Sequence, residues 1–387
     1  MSDTFDTSDP VAIHKAALFL DTHVDTPQRF ADDGWDFTGP LDGGHLSLQT
    51  AREGNLSGTF FALWVEPTKW EGRFAHRTLV LLDSVLEQIR KHPDKLKLCT
   101  TPAEIHAARA ENKFAVLLGI EGGHSIENSL GLLRLYHQLG VRYMTLTWAN
   151  SNEWADSSGD IDDPDVPHHN GLTDFGRDVI REMNRLGMMV DVSHVSDKAF
   201  WDVLDTTRVP ILASHSSARA LTPAPRNLTD DQLRAVAANN GVVMANFYPA
   251  FIDESWRLAW NALRPERLIA QQALAAEYAA ANRPMPHSAS DNLDKAFAAR
   301  LPRAPFEALI DHINHIARTA GINHVGIGTD FDGIQALPEG IDSAADLPKV
   351  TAALHARGYS AEDLHKLLGG NLLRVFTAVQ AAADSNR

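Results

Sequence analysis

The feature that most constrains this chain is a rhythm of short apolar runs. They fall at residues 19–25, 58–65, 114–121, 142–148, 188–194, 210–215, 241–248 and 324–331, over nearly the whole length. Runs of this length, bounded by turn residues and without strict alternation, are the pattern of strands buried on both faces. Helical patterns with recognisable ends lie between most of them. Thr173 opens one over 174–186 that stops at Gly187, and Thr229 with Gln232 three positions on makes a capping box for a helix ending before Gly241. Strand followed by helix, repeated, builds a parallel sheet. Eight such units predict an α/β fold, a (β/α)8 barrel of TIM type, in preference to a doubly wound sheet.

One stretch interrupts the rhythm. Residues 253–303 are Ala-rich and helical, above all over 267–281, with a Pro- and Ser-bearing break at 284–290 and no strand. We read them as a helical insertion between the seventh and eighth strands that covers a rim of the barrel, as an ordinary crossover, a lid or a homodimer surface. Residues 1–387 are expected to form a single barrel domain that begins with a short flexible tail at 1–10.

Composition narrows the class. Apolar residues make up 44% of the 387, so the chain folds by ordinary burial and is not a disordered one. Lys and Arg number 35 against 50 Asp and Glu, a net charge of −15 with no basic cluster, which argues against nucleic acid or an anionic membrane as partner. No window approaches 18 uninterrupted apolar residues, and the acidic start lacks the basic-then-apolar order of a signal peptide. The one cysteine, Cys99, cannot form an internal disulfide. These features suit a soluble protein of a reducing, cytoplasmic compartment.

The chemistry gathers at the ends of the runs. The first ends in His23-Val24-Asp25, the third in Glu121, the fifth in Asp191-Val192-Ser193-His194, the sixth in Ser214-His215 and the eighth in Gly328-Thr329-Asp330. Five predicted strands thus deliver His, Asp or Glu to their carboxyl ends, the face on which barrel enzymes build their sites. Imidazole and carboxylate together suit Zn²⁺ and comparable ions. Six candidate groups exceed the needs of one tetrahedral site, whereas two metals sharing a bridging carboxylate would use them.

A longer set of motifs carries a family resemblance. Glu121-Gly122-Gly123-His124-Ser125-Ile126-Glu127-Asn128-Ser129-Leu130, Leu139 to Tyr143, Trp154-Ala155-Asp156, Gly171-Leu172-Thr173, the stretch 186–194, Ala213-Ser214-His215-Ser216 and the stretch 328–333 resemble the membrane (renal) dipeptidase family, a branch of the amidohydrolase superfamily. The likeness spans about residues 18–375. It implies a dipeptidase with two zinc ions per chain, acting on small dipeptides by a hydroxide that bridges the metals. It further implies that His23 and Asp25 hold the first ion, that His194 and His215 hold the second, and that Glu121 bridges both. Arg226 would hold the substrate's free carboxylate, and Asp330 would move the proton between water and leaving amine. A guanidinium fork and an unliganded aspartate beside cations are chemically suited to those tasks.

One position departs from the pattern. Where the family usually has a histidine, at the end of the fourth run, this chain has Trp148. An indole donates one hydrogen bond but cannot carry positive charge, so binding of the scissile carbonyl should differ, with Asn150 or Asn152 as helpers. This leaves open a related amidohydrolase acting on another small amide, an N-acyl amino acid or a lactone, and behind it a non-catalytic binding protein. His168 and His169 read as part of a solvated loop, His312 and His315 as a partly exposed helix face, and His124 as a residue that orients Glu121 or its loop.

Overall fold

The computed structural model describes residues 8–383. Nine strands occur among them: β1 (Phe19–Val24), β2 (Leu56–Trp64), β3 (Leu96–Leu98), β4 (Phe114–Glu121), β5 (Val141–Thr145), β6 (Met189–Asp191), β7 (Leu212–Ala213), β8 (Val242–Ala245) and β9 (Val325–Ile327). All pairs are parallel, in the order β1-β2-β4-β5-β6-β7-β8-β9. Each of the eight runs read from the sequence overlaps one strand of this ring, β2 and β5 starting one or two residues earlier than read, so the fold is the predicted eight-stranded α/β barrel. β3 is the addition. It pairs with the first residues of β4, Leu96 opposite Phe114, while β5 pairs with the last, Glu121 opposite Thr145.

The ring closes just past the ends of its first and last strands. The Asp25 N–H donates to the Phe331 carbonyl (2.8 Å) and the Asp330 N–H to the His23 carbonyl (3.0 Å). Buried Asp21 reinforces the seam by accepting from the Thr329 amide (3.0 Å) and hydroxyl (2.5 Å).

Alternation along the strands sorts the core into two layers. Leu20, Phe60, Leu117, Tyr143 and Met189 pack in one buried cluster, together with Leu372, Val375 and Phe376 of the helix Asn371–Ala381. Their neighbours Phe19, Phe61, Leu118, Met144 and Val190 join the larger cluster beneath the surrounding helices. Glu121 lies two residue pairs beyond Leu117, so the alternation that sends Leu117 inward also sends Glu121 to the barrel mouth.

Helix ends follow the sequence. Thr173 caps Asp174–Leu186, which stops at Gly187 with φ 76°, and Thr229 with Gln232 forms the capping box of Asp230–Ala238. The insertion is helical as expected, as Glu254–Ala262, Arg264–Ala280 and His287–Ala298. Its break is shorter than predicted, because helix resumes at His287.

Two expectations are corrected. Of the tail at 1–10, residues 1–7 lie outside the described residues, but Pro10 begins a helix that the Asp9 side chain caps. Of the His312 and His315 face, only His315 is partly exposed. His312 is buried, its Nδ1 accepting from the Ala218 N–H (3.0 Å), and His315 meets Asp230 at 2.7 Å.

Candidate active site

The carboxyl ends of the strands converge as the barrel requires. Among the described residues, His23, Asp25 and Glu121 form one group able to hold a cation, and Glu121, His194 and His215 form a second, with ligand atoms in each group within 4.8 Å of one another. Glu121 belongs to both. Its Oε2 lies 3.3 Å from His23 Nε2, and its Oε1 lies 2.9 Å from His194 Nε2 and 3.4 Å from His215 Nε2. A third group, His23, His215 and Asp330, closes the circle.

The inner packing explains why the imidazoles point this way. Gly119 leaves room that a Cβ would deny: one placed there would lie 2.1 Å from Tyr143 Cζ. The tyrosine ring therefore lies against β4, and its hydroxyl sits 2.8 Å from His23 Nδ1. His215 is held from behind by a relay in which the Ser214 hydroxyl donates to Asp191 (2.5 Å) and lies 2.7 Å from His215 Nδ1. A hydroxyl that has spent its proton on a carboxylate can only accept, so Nδ1 carries the proton and Nε2 keeps its lone pair.

Electrostatics agree with a cation site. Burial pushes the His194 imidazole down to about 4 and His215 well below its ordinary value, so both are neutral at pH 7. Burial pushes the Glu121 carboxyl up, but the charge on His23 and the hydrogen bonds of His194 and His215 outweigh it and hold it well below the usual range. Burial raises Asp25 to about 7 and lifts Asp330 as well. His23 Nε2 and Asp25 Oδ1 are buried without a hydrogen-bond partner, unusual for such polar atoms. Gly333 keeps the space clear, since a Cβ there would meet Asp25 Oδ2 at 2.1 Å and Asp330 Oδ1 at 2.7 Å. Orphaned donor atoms, neutral imidazoles facing one carboxylate oxygen and room between carboxylates fit a pair of divalent ions.

Backbone geometry at the site is uncommon. His194 (φ 69°) and Asp330 (φ 64°) are both left-handed, a region that non-glycine residues enter rarely. Asn246, just past β8, donates to Asp330 Oδ2 (3.0 Å).

A cavity of about 970 Å³ opens over the cluster, lined by Asp25, Glu121, His194, Asp330 and Trp148. Arg226 is buried and is not among the residues that line it. Its guanidinium donates to the His215 carbonyl (2.8 Å) and the Ser216 hydroxyl (2.9 Å), its Nε has no partner, and it lies 5.5 Å from the ring of Phe251, which lines the cavity. The structure does not bring Asn150 into the lining; its amide turns to the Ser151 carbonyl (3.2 Å). Asn152 is spent on the backbone of its own loop. His124 meets the Val65 carbonyl (2.8 Å) and so ties the loop after β4 to the end of β2. Tyr143, Asn246 and Trp64 were not singled out from the sequence. Asn246 follows a strand end and was findable by position. Tyr143 lies inside a strand, where nothing local distinguishes it from a core aromatic.

The membrane dipeptidase family (peptidase family M19) has a sequence model that matches residues 9–387. The chain belongs to this family. It is accordingly a metallohydrolase of the dipeptidase class. A protein named dipeptidase tcpJ from Claviceps purpurea is 32% identical over 352 residues, 89% of this chain and 71% of that one. A probable dipeptidase, PvdM from Pseudomonas aeruginosa, superposes with a TM-score of 0.81 at 26% identity, covering 97% of this chain and 98% of that one. A metallopeptidase from Rhodobacter sphaeroides, solved with a phosphinate mimic of the dipeptide L-Ala-D-Ala, gives 0.74 at 26% identity over 94% of this chain and 99% of that one. Among the described residues of this dipeptidase family member, no helix is long and apolar enough to cross a membrane.

Proposed function

We propose that the protein hydrolyses the peptide bond of dipeptides with two zinc ions, His23 and Asp25 holding one, His194 and His215 the other, and Glu121 shared. The observation that carries this reading is the double membership of Glu121, whose two oxygens face different histidines. A donor set of imidazole nitrogen and carboxylate oxygen suits Zn²⁺ and comparable first-row ions. Ions held by these residues would supply Lewis acidity to the scissile carbonyl and to the attacking water near neutral pH.

The chain's own groups do the rest. Arg226, whose Nε has no partner and whose guanidinium lies 5.5 Å from the ring of Phe251 in the lining, pairs with the substrate's free carboxylate and sets which bond lies over the cluster. Asp330 takes the proton from the attacking water and delivers it to the departing amine. Burial raises its pKa, which favours a group that must hold a proton between the two steps, and Asn246 fixes one of its oxygens. Trp148 offers an indole N–H to the carbonyl oxygen in place of the family's histidine.

The test pairs metal analysis of protein purified without chelator with a dipeptide library. Two equivalents of zinc and turnover of dipeptides are expected. Asp330→Asn should keep the metal and lose activity by orders of magnitude, because an amide cannot carry the proton. Loss of metal in step with activity would make Asp330 a ligand and remove it from the proton path.

A further inference from the structure

The cavity has two unlike sides. Arg226 follows β7 and Asp330 follows β9, whereas Trp64 ends β2 and Trp148 lies beyond β5, across the mouth. Trp64 is the direct register neighbour of Glu121. Its ring packs 4.9 Å from that of Trp148, which in turn lies 6.5 Å from His194, and His287 of the insertion packs 5.7 Å from Trp64 on its other side. Above these rings the insertion contributes Leu268, Ala275, Tyr278 and Met285 to the lining. The aromatic wall therefore starts at the bridging carboxylate and continues under a roof in which these apolar side chains alternate with polar ones such as Gln271 and Gln272.

We propose that this side is a subsite for a large apolar or aromatic side chain on the N-terminal residue of the dipeptide. The proposal rests on the reading above, because Arg226 and Asp330 fix the direction of the substrate. With its carboxylate on Arg226 and its leaving amine beside Asp330, the C-terminal residue occupies the β7–β9 side. The N-terminal side chain is left facing β2 and β5.

Size and charge support the assignment. A volume of about 970 Å³ stands at the top of the ~300–1,000 Å³ range of small-molecule sites, far more than two small residues fill. Three acidic groups on this side are already engaged. Asp32 is paired with Arg77 (2.7 Å), Asp291 with Lys295 (2.8 Å), and Asp294 accepts from Gln271 (3.0 Å). An aromatic side chain meets the indole faces of Trp64 and Trp148 at once. Trp148 is central to this wall, its ring lying between those of Trp64 and His194.

The insertion anchors the roof to the barrel rim. The His287 N–H donates to Asp32 (3.1 Å), the Ser288 hydroxyl to Asp33 (2.6 Å) and Lys69 Nζ to the Met285 carbonyl (2.8 Å). These contacts hold Tyr278 and Met285 over the tryptophans when the cavity is filled.

The experiment measures kcat/KM of the zinc-loaded protein for Phe-Ala, Ala-Phe, Ala-Ala, Glu-Ala and Lys-Ala. Phe-Ala should exceed each of the others by about ten-fold or more, the discrimination expected of an apolar pocket that gains several carbons. Trp148→Ala and Tyr278→Ala should each lower the Phe-Ala to Ala-Ala ratio several-fold, and Tyr278 sits on a half-exposed helix whose loss of a ring does not threaten the core. Inhibition by phosphinate analogues bearing a benzyl or a methyl group at the N-terminal position gives the same comparison without turnover, with the benzyl compound the tighter. Cleavage of Ala-Ala or Ala-Phe as fast as Phe-Ala, or a ratio unmoved in both variants, overturns the subsite and leaves the dipeptidase reading standing. Cleavage of no member of the panel overturns both.

Discussion

Replacing Tyr143 with Phe removes one oxygen and leaves the ring where it is, because Gly119 shapes the space against which that ring packs. The deleted hydroxyl sits 2.8 Å from His23 Nδ1, and both groups are fully buried. For His23 Nε2 to present a lone pair to a cation, Nδ1 must carry the proton, and the Tyr143 oxygen is its acceptor. Without it a buried N–H has no partner, at a cost of roughly 1–3 kcal/mol. Because 1.4 kcal/mol is a factor of ten, the ligand-competent tautomer becomes about ten- to a hundred-fold less favourable, the range found for groups that support metal-bound histidines. The assay is competition with a chromophoric chelator, run beside thermal unfolding of the metal-free and zinc-loaded forms. The variant should bind the more weakly held ion about ten- to a hundred-fold less tightly, and its zinc-loaded form should lose more stability than its metal-free form. Unchanged zinc affinity, or equal destabilisation of the two forms, would show that the hydroxyl serves only the core and refute the tautomer argument.

Three further outcomes are expected. Glu121→Gln should lower occupancy at both ion positions, so metal analysis returning close to two equivalents would remove Glu121 from the shared role. Arg226→Met should reduce kcat/KM on dipeptides by about ten- to a hundred-fold, from the loss of roughly 1.5–3 kcal/mol of charged hydrogen bonding, and should barely change cleavage of C-terminally amidated analogues; an equal penalty on both would deny it the carboxylate. Burial pushes buried His312 down to about 4, against 6.5 when the chain is unfolded. The unfolded state therefore binds more protons between those values, and this contribution to stability, full above pH 6.5, is lost as pH falls, by about 2 kcal/mol between pH 7 and 5. Urea unfolding of the wild type and His312→Gln should show the variant less sensitive to acid over that interval; parallel losses would mean that His312 is not the titrating group.

Local signals carried much of this architecture, and their failures have a common cause. Thr173, Gly187, Thr229 and Gln232 act on backbone groups within a few residues, so the helix ends they set are readable without the rest of the molecule. Strand ends placed His23, Glu121, His194, His215 and Asp330 on one rim, because a parallel barrel leaves a single face for them. β3 escaped notice because Leu96–Leu98 is three residues with a lysine at its centre, too short to show a period. His312 was misread because its partner, the Ala218 N–H, is 94 positions away, and helix spacing shows only which residues share a face. Tyr143 was invisible for the same reason, since its hydroxyl matters through a contact with His23, 120 positions distant. Asn150 was an error of the opposite kind, where nearness in sequence to Trp148 suggested a nearness to the cavity that the loop does not provide.

Closure of the ring between β1 and the chain after β9 also dictates an order of events during synthesis. His23 and Asp25 are made some 300 residues before the segment that pairs with them, 329–331. Until it emerges, β1 has one open edge, and the carboxylate of Asp330 is missing from the mouth. Contacts between positions some 300 residues apart form slowly, because the loop between them must be closed first. The cation-binding groups are therefore locked into one closed ring only after the segment 329–331 has been made. A ribosome-bound chain ending before β9 holds the histidines of the site but not the closed ring that fixes their geometry.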